Sequence, residues 1–424
     1  MGNRRVLMIA AHVPPYSVGS GYLRTLKFCD YLPGCGWDPV LLAPSNRAFS
    51  PDQLSPGTET LLACPVRRSF ALDSARHLSI RGRYPDILAA PDRWSSWWLS
   101  AVFAGLRLVR KHRPAAIFST YPIATAQLIG LTLARLTGLP WVADFRDPMI
   151  DTHHPPPGPA RTARAAIERR TLRRCSAATF TTESTLTYYR ERFADRSDAA
   201  LRLVMNGYDE RDFPTTAGRP ADGAAPGRPL ELLHSGLLYR DIRDPTALFQ
   251  ALAALKREGA ITADSLRVRL RASGPPGRYR PLLEELGVAD IVDIEPGIPY
   301  REALAEMCAV DGLLLLQGAD ANKQVPAKLF EYFRAGAPIL ALVHPDGDTA
   351  RILRESGAGR ITGIDDADDI RHALHAFVTD PEQRRRWATP GHVAASFSRE
   401  ASAQGLAAVL DEAVQNHGRA GRAA

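Results

Sequence analysis

Short apolar runs alternate along this chain with longer segments in which apolar residues recur at the spacing of a helix. Residues 6–10 form a compact apolar run, and residues 22–32 show the helical spacing. Further runs typical of buried strands lie at residues 40–43, 115–119, 141–144 and 177–181, with helical segments between most of them. This alternation predicts a parallel sheet that helices cover on both faces.

The second half repeats this rhythm after an irregular stretch. Residues 214–229 are rich in Gly, Pro and Ala and have no apolar periodicity. Strand patterns then resume at residues 230–234, 266–272, 291–294, 312–316, 338–343 and 360–362. We therefore predict an α/β chain of two doubly wound units. The predicted parts are an N-terminal domain at 1–207, a linker at 208–229, a second domain at 230–395, and a helical segment at 396–424 that can pack back on the first domain and has a frayed end.

The net charge of the chain indicates which classes of partner it favours. Its 424 residues carry a formal net charge of +7, and the pI is about 9.3. This balance favours an anionic partner such as a nucleotide diphosphate, a nucleic acid or an acidic membrane surface, although an Arg-rich composition alone produces the same balance. No signature of a nucleic-acid-binding module is present, so we do not expect a nucleic acid as the partner.

The cysteines and the apolar runs bear on the compartment. Five cysteines are scattered along the chain, at Cys29, Cys35, Cys64, Cys175 and Cys308. Their odd number and irregular spacing indicate no metal site and fit a reducing cytoplasm. No apolar run reaches the roughly 18–20 residues that a membrane-spanning helix needs. We expect a cytoplasmic protein with no metal and no bound cofactor, and any membrane contact would be peripheral, at the inner face of the cell membrane.

The loop after the first strand is rich in glycine. It contains Tyr16, Gly19, Ser20 and Gly21, and a predicted helix follows it. Glycines let backbone N–H groups approach an anion, and the N-terminus of a helix adds positive potential. The spacing is not the GxGxxG of a dinucleotide site. Contact with a phosphate and a simple tight connection both remain as interpretations.

Charged residues follow the apolar run at 141–144. Asp144, Arg146 and Asp147 are expected at the carboxyl edge of the first sheet, where open α/β sheets bind ligands. The alternative is an Asp–Arg pair that fixes a loop.

A second glycine-containing loop opens the second domain. Gly236 follows a strand directly, and Arg240 and Arg243 come a few residues later. Gly236 would bring the backbone close to a ligand, and either arginine could meet a diphosphate. Solvated loop arginines are the alternative.

The segment 318–336 carries a further pair of charges. Pro326 marks a helix start, Lys328 falls in the first turn, and Glu331 lies one turn later on roughly the same face. Lys328 can neutralise a phosphate, and Glu331 can accept hydrogen bonds from two vicinal ribose hydroxyls. Taken alone, the pair is better interpreted as an i,i+3 surface salt bridge.

The predicted helix from Trp94 to Arg113 combines aromatic and basic residues. Trp94, Trp97 and Trp98 begin it, and four basic residues cluster near its end: Arg107, Arg110, Lys111 and Arg113. Such a helix could dock on an acidic membrane surface. The alternative is a core face with favourable charges at the helix end.

Five motifs follow one another in the order and spacing of a known family. They are VPPYSVGSGYLR, WVADFRDPM, VMNGYDERDF, HSGLLYRDIRDP and VPAKLFEYFRAGAPILAL. Over most of its length the chain resembles the GT-B glycosyltransferases of the retaining, family 4-like (group 1) type. The resemblance implies two Rossmann-like domains that face each other across a cleft, the first binding the acceptor and the second a nucleotide sugar.

The resemblance also implies roles for single residues. Gly19, Ser20 and Gly21 would face the donor phosphates and the acceptor, and Gly236 would lie on the donor side. Arg240 or Arg243 would stabilise the leaving diphosphate together with Lys328, and the spacing does not choose between the two arginines. Glu331 would hold the ribose. On the acceptor side, the candidates are Tyr16, Asp144 and Arg146.

The implied reaction moves a sugar from a nucleoside-diphosphate sugar to a hydroxyl of a saccharide, glycolipid or natural product. We expect retention of configuration without a metal, and the acceptor could be lipid-linked. If the reaction inverts, Asp147 is the candidate base. One departure is that Lys323 stands where the family's motif has its first glutamate, which usually contacts the sugar. The alternatives are therefore an inactive binding or scaffold subunit and a GT-B-like sugar-nucleotide epimerase.

Overall fold

The computed structural model describes residues 3–19, 21–150, 158–194, 201–214, 227–238 and 243–423. The chain divides into two compact units. The first comprises Met1–Asn206 together with Arg399–Ala424, and the second comprises Gly207–Ser398. Most of the predicted linker lies outside the described residues, as do Ser20 and Arg240.

The first unit is built on a parallel sheet. Its described strands are β1 (Arg4–Ile9), β2 (Trp37–Pro44), β3 (Val66–Ser69), β4 (Ala116–Thr120), β5 (Trp141–Phe145), β6 (Ala177–Phe180) and β7 (Leu201–Leu203). Their order across the sheet is β3-β2-β1-β4-β5-β6-β7. The strand order therefore reverses between β1 and β4, and open parallel sheets bind ligands at the carboxyl ends beside such a reversal.

Helices cover both faces of this sheet. Those between its strands are α1 (Leu23–Tyr31), α2 (Ser74–His77), α3 (Trp97–His112), α4 (Ala124–Thr137), α5 (Gly158–Arg174) and α6 (Glu183–Arg192). α4 is apolar on nearly every side, and most of its residues are buried. Helical spacing in the sequence predicted α1 and α3, because each has one apolar face that must be covered.

The second unit repeats the plan. Its described strands are β8 (Leu230–Ser235), β9 (Leu266–Arg271), β10 (Val292–Glu295), β11 (Gly312–Gln317), β12 (Ile339–Val343) and β13 (Arg360–Thr362). They are ordered β10-β9-β8-β11-β12-β13, and all pair in parallel. The reversal here lies between β8 and β11, so the loop after β8 and the loop after β11 meet at one sheet edge. The α/β fold class predicted from the sequence is confirmed.

The helices of the second unit follow its strands in the same way. They are α7 (Thr246–Arg257), α8 (Arg280–Glu285), α9 (Tyr300–Ala309), α10 (Ala327–Ala335), α11 (Asp348–Glu355), α12 (Ala367–Thr379), α13 (Pro381–Arg386) and α14 (Gly391–Ser396). The last helix, α15 (Arg399–Ala423), belongs to the first unit. Its residues Ala403, Leu406 and Leu410 are buried in that unit's core. Across the described residues, no helix is both long enough and apolar enough to cross a membrane.

A buried ion pair holds the first unit together at the carboxyl edge of its sheet. Arg24 on α1 and Asp144 on β5 are 1% and 0% exposed. Arg24 Nε and Nη2 lie 3.1 and 2.9 Å from the two oxygens of Asp144. The hydroxyls of Thr120 on β4 and Thr179 on β6 donate to the same carboxylate at 2.7 Å each. Burial alone would raise the pKa of Asp144, but Arg24 and the two hydroxyls outweigh it and hold that pKa below its usual value.

The remaining donors of Arg24 reach the end of the segment that leaves the first unit. Its Nη2 donates to the Val204 carbonyl at 2.9 Å, and its Nη1 donates to the Met205 carbonyl at 3.1 Å. The side-chain oxygen of Asn206 accepts from Arg24 at 3.3 Å and from Arg399, at the start of α15, at 3.2 Å. The points where the chain leaves and re-enters this unit are thus bonded to each other.

We expect Asp144→Asn to destabilise the first unit by about 3–5 kcal/mol, because it leaves the Arg24 guanidinium buried without its counter-charge. Urea unfolding followed by tryptophan fluorescence reports on this unit, since Trp37, Trp97 and Trp141 are buried in it. The control is Glu191→Gln, which removes an exposed carboxylate on α6 of the same unit. That change should cost less than about 0.5 kcal/mol. Equal losses in the two variants would contradict the role assigned to the buried pair.

Candidate donor and acceptor sites

The loop after β8 turns sharply at Gly236. Its φ of +120° lies in a region that residues with a side chain rarely adopt. A Cβ at this position would also lie 2.8 Å from Nζ of Lys328. The backbone conformation therefore favours glycine here, and a side chain would also displace the amine of the lysine. The structure brings Gly236 and Lys328 together, although they are distant in sequence.

Lys328 lies in the first turn of α10, which Pro326 precedes as the N-cap residue. Its Nζ is 3.4 Å from Nε2 of His234. Burial and, after it, the positive charge of Arg243 lower the pKa of Lys328 to about 7, although the charge of Glu331 opposes the shift. A lysine with this pKa gains much from an anion, because the anion offsets both the lost hydration and the repulsion from Arg243.

His234 is the residue at this site that the sequence did not reveal. It is completely buried at the end of β8, with Nδ1 3.0 Å from the Leu314 carbonyl and Nε2 3.0 Å from the Gly236 carbonyl. Burial lowers the pKa of His234 well below its usual value, and Lys328 adds to that effect. A neutral ring carries one N–H, so it donates to one carbonyl at a time. The only signal for His234 in the sequence was a polar residue at the end of the mainly apolar strand pattern LELL.

Glu331 lies one turn after Lys328 on α10. Its Oε1 accepts a hydrogen bond of 2.8 Å from the hydroxyl of Tyr300, which is the first residue of α9. The next residue, Tyr332, is buried, and its hydroxyl accepts from the Ser235 backbone N–H at 3.2 Å. Helix α10 is therefore bonded to the end of β8 through a residue adjacent to Glu331. Tyr300 was not predicted, because its partner is 31 residues away.

The segment between β11 and α10 carries Lys323 and is bonded to a buried amide. Nε2 of Gln317, the last residue of β11, donates to the carbonyls of Ala321 and Gln324 at 2.6 and 2.8 Å. Oε1 of Gln317 accepts from the hydroxyl of Thr349 at 2.5 Å. This network fixes the backbone on both sides of Lys323.

Of the two candidate arginines, the structure describes Arg243. Its Nη1 donates to the Leu237 carbonyl at 3.0 Å. Its charge lowers the pKa of both His234 and Lys328, which places it within electrostatic range of the lysine. Arg240 lies outside the described residues, so its role stays a prediction.

In the first unit, the loop after β1 forms an aromatic cluster. The rings of His12 and Tyr16 stack with centroids 4.2 Å apart, and Phe49 and Trp94 pack around them. Burial and, after it, the positive charge of Arg146 lower the pKa of His12 to about 4. His12 is therefore neutral near pH 7. Its Nε2 has no hydrogen-bond partner within the described part of the chain.

One glycine of this loop, Gly21, lies beside the predicted arginine. Nη1 of Arg146 donates to the Gly21 carbonyl at 2.5 Å, and a Cβ on Gly21 would lie 3.5 Å from Nη2. Gly19 has a φ of +64°. Asp147 is partly buried, and its charge acts on the pKa of Arg146. Ser20 lies outside the described residues, so its predicted phosphate contact stays a prediction.

Two sequence-based expectations differ from the structure. Asp144 was a candidate for acceptor contact, but it is fully buried and its oxygens are bonded to Arg24, Thr120 and Thr179. Its role is the alternative of an Asp–Arg pair, with Arg24 rather than Arg146 as the partner.

The other difference concerns the tryptophans at 94–98. Trp94 precedes α3 and donates to the Ala48 carbonyl, Trp97 is fully buried, and Trp98 donates to Thr132. These rings pack inside the first unit, so they do not form the membrane-docking aromatic stripe that the spacing suggested.

Comparison with known proteins agrees with this architecture. Residues 23–207 match the family described as the glycosyl transferase 4-like domain. The D-inositol 3-phosphate glycosyltransferase of Thermobifida fusca (strain YX) is 26% identical over 229 residues, which are 51% of this chain and 51% of that protein. The chain thus spans about half the length of the curated relatives it matches.

Solved structures resemble the chain over nearly its full length. Sucrose-phosphate synthase from Thermosynechococcus elongatus has a TM-score of 0.65 at 17% identity, covering 95% of this chain and 96% of that one. Anabaena HepE in complex with UDP and glucose has a TM-score of 0.63 at 14% identity, covering 96% of this chain and 100% of that one. At such identities these neighbours establish the fold.

The chain has the GT-B fold of these solved structures. Within it, residues 23–207 match the glycosyl transferase 4-like domain. The family resemblance carried by the five motifs is confirmed at this level, and retention stays a prediction.

We expect Lys328→Met to raise the melting temperature at pH 6. The pKa of Lys328 is about 7 in the folded protein and 10.5 in its unperturbed state. Below pH 7 the folded protein must charge a lysine that its surroundings disfavour, whereas between pH 7 and 10.5 the unfolded chain binds more protons and stability rises with pH. The gain from methionine should therefore shrink as the pH approaches 10. A lower melting temperature for Lys328→Met at pH 6 would contradict this electrostatic description.

Proposed function

We propose that the chain transfers a sugar from a nucleoside-diphosphate sugar to a hydroxyl acceptor, with retention of configuration and without a metal. The observation that carries this proposal is the cationic group at the end of β8. Lys328 and Arg243 lie within range of each other beside the backbone turn at Gly236, and the pKa of the lysine is lowered to about 7. Two nearby cations at the carboxyl edge of a parallel sheet suit a diphosphate.

The ribose contact is assigned to Glu331. Residues at i and i+3 share a face of a helix, so Lys328 and Glu331 project from the same side of α10. A carboxylate accepts hydrogen bonds from two vicinal hydroxyls, while the lysine next to it neutralises phosphate oxygens. The hydroxyl of Tyr300 donates to Glu331 and so restricts the orientation of the carboxylate. This arrangement supports a nucleoside diphosphate over an isolated phosphate.

The proposed step breaks the bond between the anomeric carbon and the diphosphate and forms a bond from that carbon to the acceptor oxygen. The electron pair leaves with the diphosphate, and its oxygen takes the proton of the acceptor hydroxyl. Positive charge develops on the sugar and negative charge on the leaving group, so Arg243 and Lys328 stabilise the charge that grows in the transition state. Arg240 stays an alternative to Arg243. In an inverting reaction Asp147 would instead be the base that receives the proton.

The relatives support this class of reaction. One is named a glycosyltransferase of D-inositol 3-phosphate, and HepE is described in complex with UDP and glucose. We assign the acceptor to the first unit, at the loop that carries Tyr16, Gly19 and Gly21 beside Arg146. We propose that no metal is needed because the two cations, Lys328 and Arg243, supply the positive charge that a metal would otherwise bring. The enzyme should therefore stay active in excess EDTA.

We expect turnover when the full chain is incubated with a panel of UDP, GDP, ADP and dTDP sugars and hydroxyl acceptors. Lys328→Ala should lower kcat by about 10²–10³-fold, because it removes stabilisation of the leaving group. Glu331→Ala should raise KM for the donor by about tenfold through loss of the ribose contact. NMR of the anomeric proton identifies the configuration of the product.

The matched controls are Lys256→Ala and Glu258→Ala, which remove the same charges from a part of the second unit that pairs with Asp290 and Arg371. Both should leave turnover unchanged. Unaltered binding and turnover in Lys328→Ala and Glu331→Ala would sink the site assignment, and an inverted product would sink retention. Nucleotide-sugar binding by the wild type with neither hydrolysis nor transfer would indicate a binding subunit, the alternative raised by Lys323.

The affinity for the nucleotide sugar should fall as the pH rises above 7. A diphosphate diester keeps its charge across this range, whereas Lys328 loses its proton near pH 7 in the free protein. Binding above that pH must take up a proton, so the affinity should decrease by up to tenfold per pH unit. Isothermal titration between pH 6 and 9 measures this slope. Lys328→Met should bind weakly with no such slope, and an equal slope in both proteins would assign the titration to another group.

A further inference from the structure

We propose that His234 is a positioning residue for Lys328. Its ring, protonated at Nδ1, accepts a hydrogen bond at Nε2 from the lysine ammonium and so directs the remaining N–H groups of that ammonium to the donor diphosphate. This role rests on the proposed function, because a directed cation matters to turnover only if a diphosphate binds beside it. The contact between the two side chains can nevertheless be tested in the free protein, without any donor.

The ring of His234 lies where two neighbouring strands separate. The last described pair in the ladder between β8 and β11 is Leu233 with Leu313. Beyond it, the hydroxyl of Tyr332 bridges the strands, since it accepts from the backbone N–H of the residue after His234 at 3.2 Å and donates to the Leu314 carbonyl at 3.3 Å. The ring of His234 approaches the same carbonyl and is completely buried. Protein groups, rather than water, must therefore satisfy its two nitrogens.

Three contacts decide which ring nitrogen carries the proton. Nδ1 lies 3.0 Å from the Leu314 carbonyl, whereas Nε2 lies 3.0 Å from the Gly236 carbonyl and 3.4 Å from Nζ of Lys328. Burial and the positive charges of Lys328 and Arg243 lower the pKa of His234 well below its usual value, so the ring is neutral and carries one proton.

The proton is favoured at Nδ1 while Lys328 is charged. A ring protonated at Nδ1 donates to Leu314 and accepts from the lysine at Nε2, and its one unfavourable contact is between the Nε2 lone pair and the Gly236 carbonyl. A ring protonated at Nε2 would donate to Gly236, but two contacts would then be unfavourable. Its N–H would face the ammonium, and its Nδ1 lone pair would face the Leu314 carbonyl.

A neutral acceptor orients Lys328 without cancelling its charge. A carboxylate in the place of His234 would form an ion pair with the ammonium and weaken its attraction for a diphosphate. Among the described residues, the charged groups that act on Lys328 are Arg243, from the loop after β8, and Glu331, from α10 itself. Gly236 leaves room for the contact, because a Cβ there would lie 2.8 Å from Nζ of Lys328. With one N–H bonded to the ring, the other two are directed away from it.

NMR of the full chain labelled with nitrogen-15 histidine identifies the protonated nitrogen. The His234 ring should show the two-bond coupling pattern of an Nδ1–H ring at pH 6, where Lys328, whose pKa is about 7, is mostly charged. Its signals are assigned by their loss in His234→Gln. In Lys328→Met the ring has no ammonium to accept from, so the preference for Nδ1–H should weaken. An Nε2–H ring or a charged ring in the wild type at pH 6 would overturn the proposal.

Trace acetylation measures the charge of Lys328 without a donor. The full chain is treated with acetic anhydride between pH 5 and 10, and mass spectrometry follows the peptide that carries Lys328. His234→Phe keeps an aromatic ring but removes the acceptor, so the labelling midpoint should fall by about one pH unit, as expected for a lost hydrogen bond to a charged group. His234→Gln offers its side-chain oxygen to the lysine, and its midpoint should stay near that of the wild type.

Tyr332→Phe is the matched control for a purely structural role. It removes the hydroxyl that bridges β8 and β11 but leaves the ring of His234 in place. The melting temperature should fall, whereas the labelling midpoint of Lys328 should not change. Melting temperatures of the two His234 variants show whether each is folded. Equal shifts of the midpoint in Tyr332→Phe and His234→Phe would assign the effect to the strand ends and exclude a specific role for His234.

Turnover separates this proposal from the function on which it rests. In the transfer assay, His234→Phe should lower kcat about tenfold, and His234→Gln should stay within about threefold of the wild type. An unchanged labelling midpoint in His234→Phe would contradict the positioning role even where sugar transfer is observed. Absence of transfer by the wild type would instead contradict the proposed function, and NMR and acetylation would still decide whether His234 orients Lys328.

Discussion

The ion pair between Arg24 and Asp144 is the constraint on which the first unit depends. Asp144 is the point where β4, β5 and β6 are joined, because Thr120 and Thr179 of the flanking strands donate to its carboxylate. Arg24 carries this connection to α1 and to residues 204–206, where the chain leaves the unit. Two opposite charges out of water are tolerated here because every donor of the guanidinium and both oxygens of the carboxylate are bonded.

The second unit brings like charges together, whereas the first unit pairs opposite ones. At the end of β8 it holds a buried, neutral histidine, and beside it lies a partly buried lysine of α10 whose pKa is lowered to about 7, with a second cation nearby. This arrangement lowers the stability of the folded protein, because the amine of Lys328 is removed from water and lies near the like charge of Arg243. The unfavourable placement of Lys328 persists because the turn at Gly236 and the start of α10 hold it there. An anion would relieve it, which is why the same residues form the best candidate for a diphosphate site.

Much of the fold could be predicted from the sequence because parallel strands that are buried on both faces leave continuous apolar runs. The strands at 4–9 and 312–317 were found in this way. The short strands β3 and β7 were missed, since Val66 and Arg67 are exposed and β7 has three residues. The predicted start of helix α3 was too early. Trp94 was counted in the apolar stripe of the helix, but it precedes the helix and its ring is bonded to the loop at Ala48.

The candidate site was predictable only in part. Lys328, Glu331 and Gly236 could be named from helix-start and loop signals and from the family resemblance. Their geometry could not, because it depends on contacts between distant segments. Lys328 and His234 are 94 residues apart, and Arg24 and Asp144 are 120 residues apart. No local spacing in the sequence encodes such pairs. The alternative of an Asp–Arg pair was therefore right in kind, but the partner of Asp144 is Arg24 and not Arg146.

The path of the chain adds a consequence for assembly. The second unit is continuous from Gly207 to Ser398, whereas the first unit is completed by α15, which packs on α1, β4 and β5 and buries Ala403, Leu406 and Leu410 in the core. Bringing α15 to that sheet closes a loop of nearly 200 residues, and the entropy of closing a loop grows with its length. A folded second unit shortens the effective loop, because Tyr208 already pairs with Ser398 within that unit. The same adjacency brings Asn206 and Arg399 within hydrogen-bond distance. The second unit therefore favours completion of the first one by presenting the two ends of its own chain side by side.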